Sequence, residues 1–307
     1  MSAVIQASQL CFAYGDKPVL HDIDLQVASG EIVGLVGADG AGKSTLLQLM
    51  VGQLAPAGGN LQVLQRAPTD PGLRSNLAYM PQGFGLYMDL SIQENLEFFA
   101  DLHGMAPQAA AGKIDDLLAR TGLKGFEGRR AGQLSGGMMQ KLALACALVT
   151  EPRVMFLDEP TTGVDPVSRR AFWRLLEAVR SEGVSILYAT ANMDEAERCD
   201  RVAMLEQGRL TRQGTPLELV AAGEETLVAV VGEAVRNYRA GLRRLEETRF
   251  VFPVGPRLNV WLAAGVSLEA FRATLREQFP ALQAQPLAPT LHDAAVRDLA
   301  LVEEERG

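Results

Sequence analysis

The chain has 307 residues, 48% of them hydrophobic, and a formal net charge of −8 at pH 7. That length suits one large or two modest domains with a full core, and the acidic balance argues against a polyanion such as a nucleic acid as partner. No apolar run approaches the ~20 residues a bilayer crossing needs, Met1 to Gln6 lacks the order of a secretory signal, and Cys11, Cys146 and Cys199 are too scattered for a disulfide framework or metal site.

Any membrane role therefore has to run through another subunit. In chain order, Ile23, Leu25 and Val27 alternate with Asp22, Asp24 and Gln26, the period of a half-buried strand. Ile5 to Phe12 is expected to pair with it across Gly15-Asp16-Lys17-Pro18. Tyr14 stands at that turn, where a ring caps a local core as readily as it serves a ligand.

The run Ile32 to Val36 then leads through Gly37-Ala38-Asp39-Gly40-Ala41-Gly42-Lys43-Ser44-Thr45 into Leu46 to Met50. Strand, glycine-rich turn and helix at this spacing make a phosphate-binding loop. Glycines let successive backbone N–H groups converge on phosphate oxygens where a Cβ would block approach. The new helix adds its positive end. Lys43 is placed to reach the β- and γ-phosphates, and the Ser44 hydroxyl to ligate Mg²⁺.

Beyond this helix, Pro56 to Asn60 reads as a turn and Leu77 to Met80 as a short buried strand ending at Pro81-Gln82. Ser91 and Glu94 form a capping box before Leu96, Phe98, Phe99 and Leu102. A second helix near Gln108 to Thr121 follows with no strand between, so a helical subdomain spans about 83–145. Leu134-Ser135-Gly136-Gly137-Met138-Met139-Gln140 opens another helix. Its two glycines cost helix stability and suit close approach to an anion, although Ser135 as a simple N-cap also accounts for the stretch.

Val154 to Pro160 is a buried strand ending in two adjacent acids. Adjacent strand positions face opposite ways, so Asp158 fits the Mg²⁺ side of a nucleotide site and Glu159 the group that orients the attacking water. The plainer alternative is a pair of acids capping the helix after Pro166. Ile186 to Ala189 is a strand, Met193 to Cys199 a short helix, and Arg201 to Leu205 with Arg209 to Gln213 a hairpin. Leu217 to Ala221 closes a first domain, 1–223, with Gly223 as its stop.

From residue 224 to 307 a second domain is legible: strand Leu227 to Val231, helix Ala234 to Leu245, strands Phe250 to Phe252 and Leu258 to Leu262, helix Leu268 to Phe279, and strand Leu282 to Pro286. The order βαββαβ is the ferredoxin-like split motif. His292 has no cysteine or histidine near it, so the expected role is regulatory or dimerising.

Taken together, the phosphate loop, Gln82, Leu134 to Gln140, Asp158-Glu159 and Thr162-Gly163-Val164-Asp165 resemble the ATPase subunit of ATP-binding cassette (ABC) transporters. Tyr79 to Tyr87 and Pro289-Thr290-Leu291-His292-Asp293 resemble the bacterial drug-exporter branch, most of all the first cassette of its tandem members. The fold implied is α/β: a P-loop NTPase core with a mixed sheet and an antiparallel β subdomain, an inserted helical subdomain, and a small α+β C-terminal domain.

The resemblance implies an ATPase that uses ATP and Mg²⁺ and sits peripherally on the cytoplasmic face of the inner membrane. Its partners would be a permease and a second cassette, identical or not. Tyr14 would stack on adenine, Gly37 to Thr45 would hold phosphates and Mg²⁺, and Gln82 would sense γ-phosphate and metal beside the permease. Ser135, Gly136 and Gly137 would close over ATP bound by the opposite cassette, with Asp165 at the dimer seam. One position departs: the family's histidine after the strand-end Thr190 is Ala191 here, so a slow site is expected unless Asn192 compensates. The alternatives are a soluble non-transport cassette and a regulatory, poorly hydrolysing one.

Overall fold

The structure, a computed structural model, describes residues 3–221 and 225–306. Gly223, the expected stop, lies outside the described residues. Two compact units divide the chain, Met1–Gly214 and Thr215–Gly307.

The first unit contains β1 (Ala3–Tyr14), β2 (Lys17–Ala28), β3 (Ile32–Val36), α1 (Lys43–Met50), β4 (Gly58–Val63), β5 (Leu77–Met80), α2 (Ile92–Leu102), α3 (Pro107–Thr121), α4 (Gly136–Leu148), β6 (Val154–Asp158), α5 (Pro166–Ser181), β7 (Ser185–Thr190), α6 (Met193–Ala196), β8 (Arg201–Glu206) and β9 (Arg209–Gly214). Its main sheet runs β5-β6-β7-β3-β8-β9. Pairing is parallel from β5 to β8, and β9 closes the edge antiparallel. Every residue of β3, β6 and β7 is buried, which explains their unbroken apolar runs.

A second, antiparallel sheet has the order β2-β1-β4. Ile23, Leu25 and Val27 of β2 point into a core shared with Leu46, Leu47 and Phe156, as the alternation predicts. The turn expected at Pro56 to Asn60 is instead the entry to β4, whose Leu61 and Val63 are buried. Two glycines mask its period: Gly59 takes φ +82°, and a Cβ there would stand 2.2 Å from the Gln9 carbonyl oxygen of β1.

Helices α2, α3 and α4 form the insertion between β5 and β6. The capping box is complete, with Glu94 N donating to Ser91 Oγ at 3.1 Å and Ser91 N to Glu94 Oε2 at 2.7 Å.

The second unit holds α7 (Pro216–Ala221), β10 (Leu227–Gly232), α8 (Arg239–Leu242), β11 (Thr248–Val254), β12 (Arg257–Leu262), α9 (Leu268–Gln278), β13 (Leu282–Pro286) and α10 (Leu291–Arg306). Its antiparallel sheet runs β11-β12-β10-β13, the strand order of the split motif. The helix expected from Ala234 to Leu245 shrinks to a 3-10 turn, Val235–Tyr238, and the single turn of α8. Ala234 enters left-handed at φ 47°, and Gly241 sits against the Phe279 ring, where a Cβ would find only 2.9 Å. Val228, Val230, Val260, Phe271 and Leu275 fill the core on one sheet face. Leu227, Phe250 and Trp261 cluster on the other, against Ala300 of α10.

Candidate functional site

β3 lies between β7 and β8, and the loop leaving it is fixed on both sides. Gly37 N donates to Thr190 O at 3.3 Å, at the end of β7. A Cβ on Gly37 would stand 2.3 Å from the Leu205 carbonyl oxygen of β8. Gly42 adopts φ +109°, a conformation glycine holds without strain. These two glycines therefore answer to the protein's own backbone as well as to any ligand. Asp39 and Gly40 are exposed at the loop tip, whereas Ala41 and Thr45 are buried and Ser44 is half-buried.

Lys43, the first residue of α1, is buried and folds its ammonium back over the loop. Nζ donates to Gly37 O at 2.8 Å and Ala38 O at 3.1 Å, and pairs with Glu159 Oε1 at 3.0 Å.

Asp158 ends β6 and is 2% exposed. Its Oδ2 accepts from the Tyr79 hydroxyl at 3.4 Å, and the nearby Ser44 hydroxyl favours the charged form of the carboxylate. Oδ1 is buried with no partner. Burial pushes the Asp158 carboxyl up, helped by the Glu159 charge and opposed by Ser44, Tyr79 and Lys43. The Tyr79 phenol is pushed up to about 12, first by burial and then by Asp158. An orphaned carboxylate oxygen beside a serine hydroxyl is the donor set a hard divalent cation takes, so these residues fit Mg²⁺.

Glu159 parts from Asp158 by more than the strand pleat. Its backbone is left-handed at φ 46°, a conformation worth ~1 kcal/mol or more of strain for a non-glycine residue, and the turn carries the carboxylate to Lys43. Glu159 N donates to Ala189 O at 2.9 Å, and Oε2 accepts from Thr162 Oγ1 at 3.2 Å. Neither acid caps α5. That cap is Asp165, whose Oδ1 accepts from Val167 N at 2.9 Å and Ser168 N at 3.0 Å. The bonds from Ser168 hold its carboxyl below the usual range.

The remaining expected residues lie apart. Ser135 caps α4, accepting from Met138 N at 3.3 Å, and is exposed. Gly137 is buried, and a Cβ there would stand 2.3 Å from Ser168 Oγ. The start of α4 is thus braced on the start of α5. Among the described residues no hydrogen bond or ion pair joins Ser135, Gly136, Gly137 or Asp165 to Gly37 to Thr45. Gln82 is exposed in the turn beyond β5 and bonds to neither Ser44 nor Asp158. Tyr14 is 49% exposed rather than capping a core, edge-on to Phe12 at 4.8 Å, its hydroxyl 3.4 Å from Gln48 Oε1. Ala191 is exposed, and Asn192 Oδ1 accepts from Asp194 N at 3.0 Å to cap α6.

Sequence reasoning missed three polar residues beside the site: Gln48, Tyr79 and Glu195. Gln48 carries no local signal, and Tyr79 stands in the sequence only as the first residue of the Tyr79–Tyr87 stretch, with no role attached. Glu195 hides among the acids Asp194 and Glu197.

A central parallel strand feeding a glycine loop and helix, with the loop's lysine paired to an acid just beyond the end of β6, defines a P-loop nucleoside triphosphatase. Residues 20–162 match the family described as ABC transporter. A Nod factor export ATP-binding protein I from Rhizobium sp. (strain N33) is 35% identical over 284 residues, covering 87% of this chain and 92% of that protein. The chain belongs to the ABC transporter family, as an ATP-binding domain.

A probable multidrug ABC transporter ATP-binding protein of Escherichia coli (strain K12), YbhF, is 47% identical over 226 residues, 72% of this chain. The match spans only 39% of that relative's length. Among solved structures, cbiO1 from Clostridium perfringens, described as part of the ABC transporter complex cbiONQ, gives a TM-score of 0.67 at 28% identity, covering 80% of this chain and 97% of that one.

Proposed function

We propose that this chain is the ATP-hydrolysing subunit of an exporter, acting at the cytoplasmic face of the membrane through a separate permease and paired with a second cassette. The observation that carries the reading is the division of the site residues into two sets. Lys43, Ser44, Asp158 and Glu159 converge in one place, while Ser135, Gly137 and Asp165 form a second surface braced on itself. Two such surfaces facing each other give a nucleotide pocket that one chain leaves open. Relatives named for multidrug transport and Nod factor export favour export. No helix among the described residues is long and apolar enough to cross a membrane, which suits a permease on another chain.

In this pocket the open face of Tyr14 stacks on adenine, and the loop amides of Gly37 to Thr45 receive the phosphates. Lys43 exchanges Glu159 for phosphate oxygens. Asp158 and Ser44 would hold magnesium, with Gln82 swinging in from its exposed turn, and the ion would supply positive charge against the phosphate oxygens. Glu159, released from Lys43, orients the attacking water. A groove of about 490 Å³ lined by Met80, Pro81, Phe84, Phe99 and His103 opens beside Gln82 and is the proposed permease contact. The second unit is an accessory domain whose role we take as regulatory or dimerising.

Ala191 favours a slow site in this chain. A methyl group donates no hydrogen bond, Asn192 is committed to capping α6, and a missing transition-state donor typically costs ~10²–10³ in rate. The intact Glu159 argues against a purely regulatory cassette. The test is mass in solution: Glu159→Gln protein with ATP should double in mass by light scattering and revert when ATP is removed. A monomer at saturating ATP would remove the reading.

A further inference from the structure

Asp194 and Glu197 face solvent, but Glu195 between them is 3% exposed. Taking a carboxylate out of water is costly unless its lone pairs are met, and donors from three segments meet this one. Oε1 accepts from the Thr161 hydroxyl. Oε2 accepts from Tyr188 OH at 2.9 Å and from Thr190 Oγ1 at 2.8 Å. Arg169 Nε completes an ion pair at 3.3 Å, a contact of charge without hydrogen-bond geometry. Burial and then Glu195 push the Tyr188 phenol well up, which keeps it a donor, and its ring packs against Trp173 at 4.7 Å.

Each partner leads to a different part of the site. Thr161 lies two residues beyond Glu159. Arg169 also reaches the Val164 carbonyl at 3.4 Å, inside the stretch Thr162 to Asp165 that ends at the cap of α5. Thr190 Oγ1 accepts from Asn192 N at 3.0 Å, so the turn carrying Ala191 hangs on the same carboxylate.

We propose that Glu195 is a positioning residue that locks the Ala191 turn to the Thr162–Asp165 loop, so that closure against a second cassette sets the γ-phosphate end of the pocket. The inference rests on the reading that two cassettes pair. Glu195 is enclosed by protein, 3% exposed, rather than presented to a ligand. It transmits the position of one loop to another through Arg169 on one side and Thr190 on the other. A purely structural carboxylate would set the stability of the fold and leave the seam alone.

The experiment compares Glu159→Gln protein with and without Glu195→Gln. Three readings are taken: affinity of the monomer for a fluorescent ATP analogue, the ATP-driven dimer constant by sedimentation, and the thermal midpoint. The expected result is a dimer weakened about tenfold with analogue affinity changed less than about twofold. Arg169→Met should give a similar loss, and the double variant no more than either alone, because the two act as one unit. Unchanged dimerisation in Glu195→Gln, additive losses with Arg169→Met, or a fall in analogue affinity that tracks the midpoint would each overturn the proposal. Should Glu195→Gln fail to fold, Thr190→Val removes one hydroxyl from the same network and is read the same way. If Glu159→Gln alone never dimerises, the pairing of cassettes fails first, and that failure is visible before Glu195 is touched.

Discussion

Lys43 Nζ lies 3.0 Å from Glu159 Oε1, so the site's cation and its proposed base neutralise each other within a largely buried contact. On the proposed reading, nucleotide entry has to break this pair. Glu159→Gln should therefore bind ATP more tightly than the parent and hydrolyse it ~10²–10⁴-fold more slowly, the usual reach of a general base. Calorimetric titration and phosphate release measure the two effects, and persistent turnover would dismiss Glu159 as the base.

Lys43→Ala should abolish ATP binding by the same titration. The variant leaves the loop carbonyls of Gly37 and Ala38 without their cation and Glu159 without its ion pair. ATP affinity equal to the parent's would mean that the phosphates bind elsewhere.

Ala191→His restores a donor at the exposed turn after β7. ATPase activity should rise by up to ~10²–10³, read in steady state against the parent. A fast parent with no gain from histidine would retire the slow-site reading.

Gly37→Ala tests the loop's debt to its own fold. The new methyl would press a backbone oxygen, Leu205 O, at 2.3 Å, which cannot rotate away as a side chain can. Overpacking of this kind costs ~1–3 kcal/mol. Urea unfolding without nucleotide should show the loss, whereas a glycine needed only for ligand approach would leave stability intact.

Asp158 sets a pH-dependent response. Burial raises its carboxyl above the ordinary 3.8, so the folded state holds this proton more firmly than the unfolded one. Its contribution to stability is greatest below 3.8 and is lost as pH rises through the raised value. At neutral pH the ionised group is a liability until a cation meets it. Asp158→Asn should melt higher than the parent at pH 7 without Mg²⁺ and lose any rise in midpoint that Mg²⁺ gives the parent. A midpoint equally sensitive to Mg²⁺ in both proteins would refute the cation assignment.

What was legible in the sequence is what backbone chemistry forces into residue identity. The phosphate loop shows because its conformation demands glycine at set positions, and α2 shows because a Ser91–Glu94 box writes its start in two letters. β4 was hidden because its first two residues are glycines, which erase the alternation carried by Leu61 and Val63. α10 went unread although Thr290 and Asp293 form its cap, Thr290 N donating to Asp293 Oδ2 at 3.0 Å and Asp293 N to Thr290 Oγ1 at 3.1 Å. Glu195 could not have been picked from Asp194-Glu195-Ala196-Glu197, since only the packing of α6 against β3 and β7 decides which acid turns inward.

The second unit carries one further consequence. Its sheet is roofed on both sides, by α8 and α9 on one face and by α10, with Arg297 stacked 5.0 Å above Trp261, on the other. A small effector of the kind that lies flat on a bare sheet would find no berth without evicting α10. Among the described residues β11 and β13 are the outer strands of this sheet, each paired on one side only, so strand-to-strand zippering along a rim and contact over the helical shell are the forms of recognition that suit this module.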